Sequence, residues 1–278
     1  MCTDGFGADG AAHFGPFEPC SQGIAEMILL CNDDGVFALG LAELREELRK
    51  VEDVTVVAPD TEQSGAAHSI TLLLPLRVRK IQQKNEFFGY TVNGSPADCV
   101  KIAIRELLPE PPGAVVTGVN YGANLGVNVF YSGTVAGALE GAMFGLPSFA
   151  FSLEHGGNPD FAEVAKVARS VYTWFKQRPL PKGTLLNVNI PALPSDQIKG
   201  VVVTRMSRAG YDERFEKRVD PRGQVYYWIT GRIDDTDDIP GTDINAVRNG
   251  FVSVTPLHYD LTEYQIVDQL GGLGSRIF

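Results

Sequence analysis

The stretch Met27-Ile28-Leu29-Leu30-Cys31-Asn32-Asp33-Asp34-Gly35 decides how the rest of the chain is read. Five apolar residues in a row, closed by four residues that favour turns, describe a short strand with no polar face. Downstream, residues 39–50 carry Leu41, Leu44 and Leu48 at helical spacing, with charges on the opposite side. Residues 54–58 form a second apolar run, closed by Pro59-Asp60. A buried strand, an amphipathic helix and another buried strand are the signature of a parallel sheet with helices on both faces.

The rhythm continues. A sheet-like excursion is expected over 70–81 and 87–92, and Ser95-Pro96 opens a helix over 97–108 as N-cap and first-turn proline. Residues 114–117 and 148–152 read as strands, 135–144 as a helix of small residues, and 161–177 as a long amphipathic helix. After Pro181 the pattern changes. Strands are expected at 185–189, 201–204 and 251–255, with 225–230 as one arm of an exposed hairpin. The expected organisation is an α/β catalytic body over 27–195 and an extension over 196–278 that packs on the body and on a partner subunit. Residues 1–26 are rich in glycine, lack lysine and arginine, and show neither period. They are read as a flexible leader. Gly5-Phe6-Gly7-Ala8-Asp9-Gly10 spells G-x-G-x-x-G there, but it neither follows a strand nor opens a helix, so it carries no dinucleotide reading.

Composition narrows the function classes. With 44% hydrophobic and 21% charged residues, the 278-residue chain has an ordinary folded-protein balance. A net charge of -10 argues against a polymeric nucleic acid as partner. It leaves room for small phosphorylated substrates, because a bound cation reverses the local field of an acidic site. The longest apolar runs are too short for a bilayer, and no basic start followed by an apolar stretch marks a signal peptide. The four cysteines form no C-x-x-C pair, and Cys31 and Cys99 lie in apolar segments. Reduced core thiols in a cytoplasmic protein away from membranes are expected.

Three polar clusters each follow an apolar strand: Asn32-Asp33-Asp34-Gly35, Asp60 through Ser64-Gly65, and Gly118-Val119-Asn120. Ligands of open parallel sheets bind in the crevice beyond the carboxyl ends of the strands. That rule gathers Asp33, Asp34, the Ser64 hydroxyl and the Asn120 amide at one edge. All are oxygen donors, the set that Mg²⁺ or Mn²⁺ prefers. Alone, the first cluster reads as a surface turn and Ser64-Gly65 as an ordinary loop; their shared position after core strands points to function. The run Gly118 to Gly126, with Asn120 and Asn124 among its glycines, suits a loop that approaches a ligand closely.

Ser132-Gly133-Thr134 begins a helix, where free N–H groups and the dipole favour a phosphate; plain N-capping is equally compatible. His68 falls near the same loops and is a candidate substrate contact, whereas His155 and His258 are expected to be packing or surface residues. A cation, an anion site and paired carboxylates together suggest phosphate monoester hydrolysis. Asp33 and Asp34 are the expected catalytic pair, as nucleophile, proton shuttle or holders of a cation that activates water. Neither a G-x-S-x-G elbow nor a G-x-x-x-x-G-K-[ST] loop is present. Asp234-Asp235-Thr236-Asp237-Asp238 is read as a solvated charge cluster.

At these residues the chain resembles the SurE (survival protein E) family of nucleotidases. The matching pieces are the segment Ile28 to Gly35, Val57-Ala58-Pro59-Asp60 running into Ser64-Gly65, and Gly94-Ser95-Pro96-Ala97-Asp98. Gly118 to Gly126, Tyr131-Ser132-Gly133-Thr134, Gly241-Thr242-Asp243 and Val252-Ser253-Val254-Thr255-Pro256-Leu257 follow in order. The resemblance implies a Rossmann-like α/β fold and one divalent cation per subunit, Mg²⁺ or Mn²⁺, on Asp33, Asp34, Ser64 and Asn120. It also implies hydrolysis of nucleoside 5'- and 3'-monophosphates, activity on short polyphosphate, and a homodimer or homotetramer joined through hairpin and helical C-terminal extensions. Cys31 stands where many members carry serine, and the leader has no counterpart. Two other classes compete: a non-catalytic sensor that holds nucleotide or phosphate, and an assembly protein whose body only presents its C-terminal arm.

Overall fold

A computed structural model of the chain describes residues 27–83, 85–209, 211–233 and 239–270. In chain order its first half comprises β1 (Met27–Cys31), α1 (Leu39–Leu48), β2 (Asp53–Pro59), β3 (Val78–Gln83), β4 (Glu86–Val92), α2 (Pro96–Ile102) and β5 (Ala114–Tyr121). Then come α3 (Gly133–Met143), β6 (Ser148–Leu153), α4 (Phe161–Lys176) and β7 (Thr184–Ile190). The last part holds β8 (Val201–Val203), β9 (Tyr211–Val219), β10 (Val225–Ile233), α5 (Asp243–Arg248), β11 (Val252–His258) and α6 (Tyr264–Leu270).

Nine strands form one sheet in the order β3-β4-β2-β1-β5-β6-β7-β11-β8, with β9 and β10 apart as a two-stranded antiparallel arm. The strands from β4 to β7 run parallel, while β3 is antiparallel to β4 and β11 to β7. The continuous apolar run of β1 has a direct cause. Ile28 and Leu30 pack on one face with Leu41, Leu44 and Leu48 of α1 and Ala168, Val171 and Tyr172 of α4. Leu29 and Cys31 pack on the other with Cys99, Val100 and Ala103. Period-2 alternation thus feeds two cores, so no position of the strand is free to be polar. Truncating one such leucine costs about 2–5 kcal/mol.

From β1 the chain turns one way through α1 to β2, and later re-enters on the other side of β1 as β5. The crevice where the order reverses lies beyond Cys31 and Tyr121, between the first and third polar clusters.

One expectation is revised. Residues 70–77 are loop, because the ladder with β4 begins only at Val78↔Val92; upstream, Asp98 takes the N–H and hydroxyl of Thr71 in place of a neighbouring strand. Beyond residue 195, β8 and β11 extend the sheet past β7. The helix expected over 97–108 is α2 followed by a π-helical turn, Ala103–Leu107. The leader 1–26 and the acidic run at 234–238 lie outside the described residues. Among the described residues no helix is long and apolar enough to cross a membrane. Cys31 and Cys99 are buried free thiols.

Candidate active site

Where β1 ends, the Asn32 side-chain amide donates to the carbonyl of Gly35 (3.0 Å) and closes the turn that carries two aspartates. Asp33 is only 4% exposed. Its carboxylate accepts a hydrogen bond from the hydroxyl of Thr134, and the Thr134 backbone also favours its charge. Its carbonyl accepts from the N–H of Gln63 at 2.7 Å. A β-carbon on Gly133 would fall 2.8 Å from the Asp33 Cβ, so only glycine allows this approach. The start of α3 therefore holds an anion that the chain itself supplies. This changes the reading of Ser132-Gly133-Thr134. Thr134 is committed to Asp33, Gly133 makes room for it, and Ser132 caps the helix by accepting from the N–H of Val135 (3.1 Å). Of the three, Ser132 lines the cleft.

Burial pushes the Asp33 carboxyl up from its ordinary range, against the Thr134 bonds that favour its charge. Burial, then the charges of Asp33 and Glu62, push Asp34 up to about 6. Three carboxylates thus face one region: Glu62 disfavours the ionised form of both aspartates, and Asp33 that of Asp34.

Asn120 arrives from β5 by a local irregularity. The register with β6 shifts between Thr117 and Asn120, and Gly118 holds φ at +119° with its α-carbon against the carbonyl of Phe151. A side chain at 118 would meet that carbonyl, so the irregularity requires glycine. The Asn120 amide nitrogen donates to the carbonyl of Gly122 (2.6 Å), which leaves its amide oxygen as the donor atom for a ligand. The Ser64 hydroxyl gives its proton to Glu62 Oε1 (2.6 Å), which leaves its lone pairs outward.

These groups line one open cleft of about 750 Å³, together with Asn124, Tyr131, Glu154 and His155. Asn124 is nonetheless occupied: its side chain donates to Ser152 Oγ (2.8 Å), and its carbonyl accepts from Asn187 and Asn189. That ties the glycine-asparagine loop to β6 and β7. His68 does not join the cleft lining; it pairs with Glu140 on α3 at 2.9 Å. His155, expected to be a packing or surface residue, is in the cleft wall with its ring edge-on to Tyr121, 4.6 Å between centroids. Glu62 and Tyr121 join it as site residues that the polar clusters alone did not single out. Each neighbours an expected ligand in sequence, Glu62 two residues before Ser64 and Tyr121 one after Asn120, and that proximity was the available signal.

The donor set can be tested against a cation. Two carboxylates, a hydroxyl oxygen and an amide oxygen are all hard ligands, and the three-carboxylate repulsion is the kind that a divalent cation relieves. The residues fit Mg²⁺ or Mn²⁺. Among the described residues no three of His, Cys, Asp and Glu form a metal-ligand group, so the candidate set depends on the hydroxyl and amide oxygens beside the two aspartates.

A profile of the family described as Survival protein SurE matches residues 28–213. The chain belongs to the SurE family. A SurE relative from Syntrophobacter fumaroxidans, called 5'-nucleotidase SurE, is 50% identical over 244 residues, covering 88% of this chain and 98% of its own. Another from Heliobacterium modesticaldum, with the same name, is 47% identical, covering 90% and 94%. Among solved structures, the SurE protein from Aquifex aeolicus superimposes with a TM-score of 0.79 at 45% identity, covering 89% of this chain and 99% of that one. SurE likeness thus extends past the profile into the C-terminal part.

Proposed function

We propose that the chain is a 5'-nucleotidase, a phosphoric monoester hydrolase that converts nucleoside 5'-monophosphates to nucleoside and phosphate. The observation that carries the reading is the convergence of Asp33, Asp34, Ser64 and Asn120 on one cleft at the switch point of the sheet, in a chain half identical to a protein of that name.

The finer parts of the proposal rest on the donor chemistry. One divalent cation, Mg²⁺ or Mn²⁺, is held by the Asp33 and Asp34 carboxylates, the Ser64 hydroxyl and the Asn120 amide oxygen. When bound, it supplies positive charge for the phosphoryl oxygens and acidifies water. Thr134 orients Asp33 through its hydroxyl, which leaves less of that carboxylate for other work. Asp34 is the more exposed of the pair and the one positioned to contact substrate. The Ser132 hydroxyl faces the cleft as a donor for a phosphate, and Tyr121 and His155 offer ring surface to a base. The 3'-monophosphates and short polyphosphate belong to the same chemistry, since the cleft is open rather than closed around one substrate.

Assembly into a homodimer or homotetramer is part of the proposal. The arm of β9 and β10 exposes Phe215, Tyr227, Trp228 and Ile229, and α6 exposes Tyr264 and Leu270. Apolar surface of this extent on an arm marks a contact with another chain. A cytoplasmic location fits the buried free thiols.

The deciding experiment measures phosphate release from a panel of nucleoside monophosphates with Mg²⁺, Mn²⁺ or chelator, on wild type and Asp34→Ala. Cation-dependent release that the variant loses supports the reading. Nucleotide binding without release, in folded wild type, would favour a sensor module instead.

A further inference from the structure

Between β2 and β3 the chain runs through residues 60–77 without a helix or strand. This loop brings Glu62 and Ser64 to the cleft, so something else has to fix its path. Near the site, the N–H of Gln63 bonds the carbonyl of Asp33 (2.7 Å) and that of Ala67 bonds the carbonyl of Tyr131 (3.2 Å). Farther along, Ser95 Oγ donates to the carbonyl of Ser69 (2.6 Å), and Thr71 donates to Asp98. Between these two sets of ties stands one side-chain bond to α3, from His68 Nε2 to Glu140 Oε2 (2.9 Å).

Glu140 has no place in the cleft chemistry, yet its side chain is 5% exposed. Lys101 Nζ donates to its other oxygen at 2.7 Å. Burial works against its charge, and the bonds from His68 and Lys101 outweigh it, so the carboxyl stays below its ordinary range. An ionised carboxylate only accepts, so His68 is the donor. An apolar contact would hold the loop at less desolvation cost; a buried, doubly bonded carboxylate fixes direction as well as proximity. The helix that carries Glu140 holds Asp33 at its first turn through Thr134. Its Gly137 and Gly141 pack closely on Thr117 and Val115 of β5. One helix, seated on the sheet, therefore sets both the aspartate and the loop.

We propose that Glu140 is a positioning residue: through His68 it fixes the loop that carries Glu62 and Ser64, and so sets the distance of the Ser64 hydroxyl from Asp33 and Asp34. The inference rests on the reading of Ser64 as a ligand, and it assigns His68 a supporting role behind the site in place of a contact with substrate.

The test compares wild type, His68→Ala and His68→Gln, the last keeping an N–H able to reach Glu140, with Glu140→Ala as a second route to the same break. Hydrogen exchange of metal-free protein reads the loop, calorimetric titration reads Mn²⁺ affinity, and steady-state kinetics read turnover. His68→Ala should speed exchange at residues 63–68, leave the sheet amides unchanged, and lower Mn²⁺ affinity and kcat/KM about tenfold or more. His68→Gln should recover most of each. Unchanged loop exchange in His68→Ala would overturn the proposal. So would a loosened loop with wild-type affinity and kcat/KM, or a glutamine variant no better than alanine. Wild type that binds no Mn²⁺ would instead remove the cation reading, while exchange and kcat/KM still judge the clamp.

Discussion

Gly133 has no side chain because Asp33 occupies the space a β-carbon would take. Adding that one atom in Gly133→Ala has to move Asp33 or the start of α3. A displacement of that order should lower kcat/KM about 10²-fold with the circular dichroism spectrum unchanged; a variant near wild-type activity would show that the aspartate tolerates the shift. Glu140 allows a second prediction at this scale. Its folded-state carboxyl lies below the ordinary value of 4.5, so the folded chain binds its proton less readily than the unfolded chain does. The stability it contributes is complete above about pH 4.5 and is lost as pH falls through the folded value. Chemical denaturation of Glu140→Gln should thus show its full deficit against wild type at pH 7 and a narrowing deficit below pH 4.5. A gap independent of pH would mean that the side chain acts by shape alone.

Among the elements, α2 has the most complete start. Ser95 Oγ accepts from the N–H of Asp98 (3.1 Å), and the Asp98 carboxylate accepts from the N–H of Ser95 (3.0 Å). Ser95→Ala should cost about 1 kcal/mol, read as a lower urea midpoint at fixed protein concentration. No change in midpoint would mean that Asp98 alone carries the cap. The Ser95-Pro96 signal was plain in the sequence, as were β1, β2 and α4, because local chemistry and burial agree there. Elsewhere they diverge. Leu72, Leu73 and Leu74 look like strand residues but stand exposed in the loop, since β4 has no register left for them. Arm strand β9 reads Tyr-Asp-Glu-Arg-Phe-Glu-Lys-Arg-Val; its apolar Tyr211, Phe215 and Val219 are too widely spaced to mark a buried face, and residues 213–219 are exposed. The polar clusters pointed to Asp33, Asp34, Ser64 and Asn120, whereas His155 comes to the cleft only by the pairing of β6 with β5, and pairing leaves no local mark on a sequence.

For the whole molecule, the arm is the feature least explained by a single chain. Tyr227 and Ile229 alternate with Tyr226 and Trp228 along β10, and both sets are exposed. Trp228→Glu should shift sedimentation velocity toward a smaller species and leave the spectrum of the body intact. An unchanged mass would place the subunit contact elsewhere, or remove it. The strand order carries one more consequence. β11 lies between β7 and β8, antiparallel to the first and parallel to the second, although β8 precedes it by some fifty residues of chain. During synthesis, β7 and β8 leave the ribosome with a gap between them that only residues 252–258 can fill. Until the last portion of the chain has been translated, β7 presents an open edge of unpaired backbone groups to every other nascent chain nearby. A message cut short after the arm would therefore yield a product with its catalytic loops present and its sheet still open, a target for chaperones and proteases rather than a smaller enzyme.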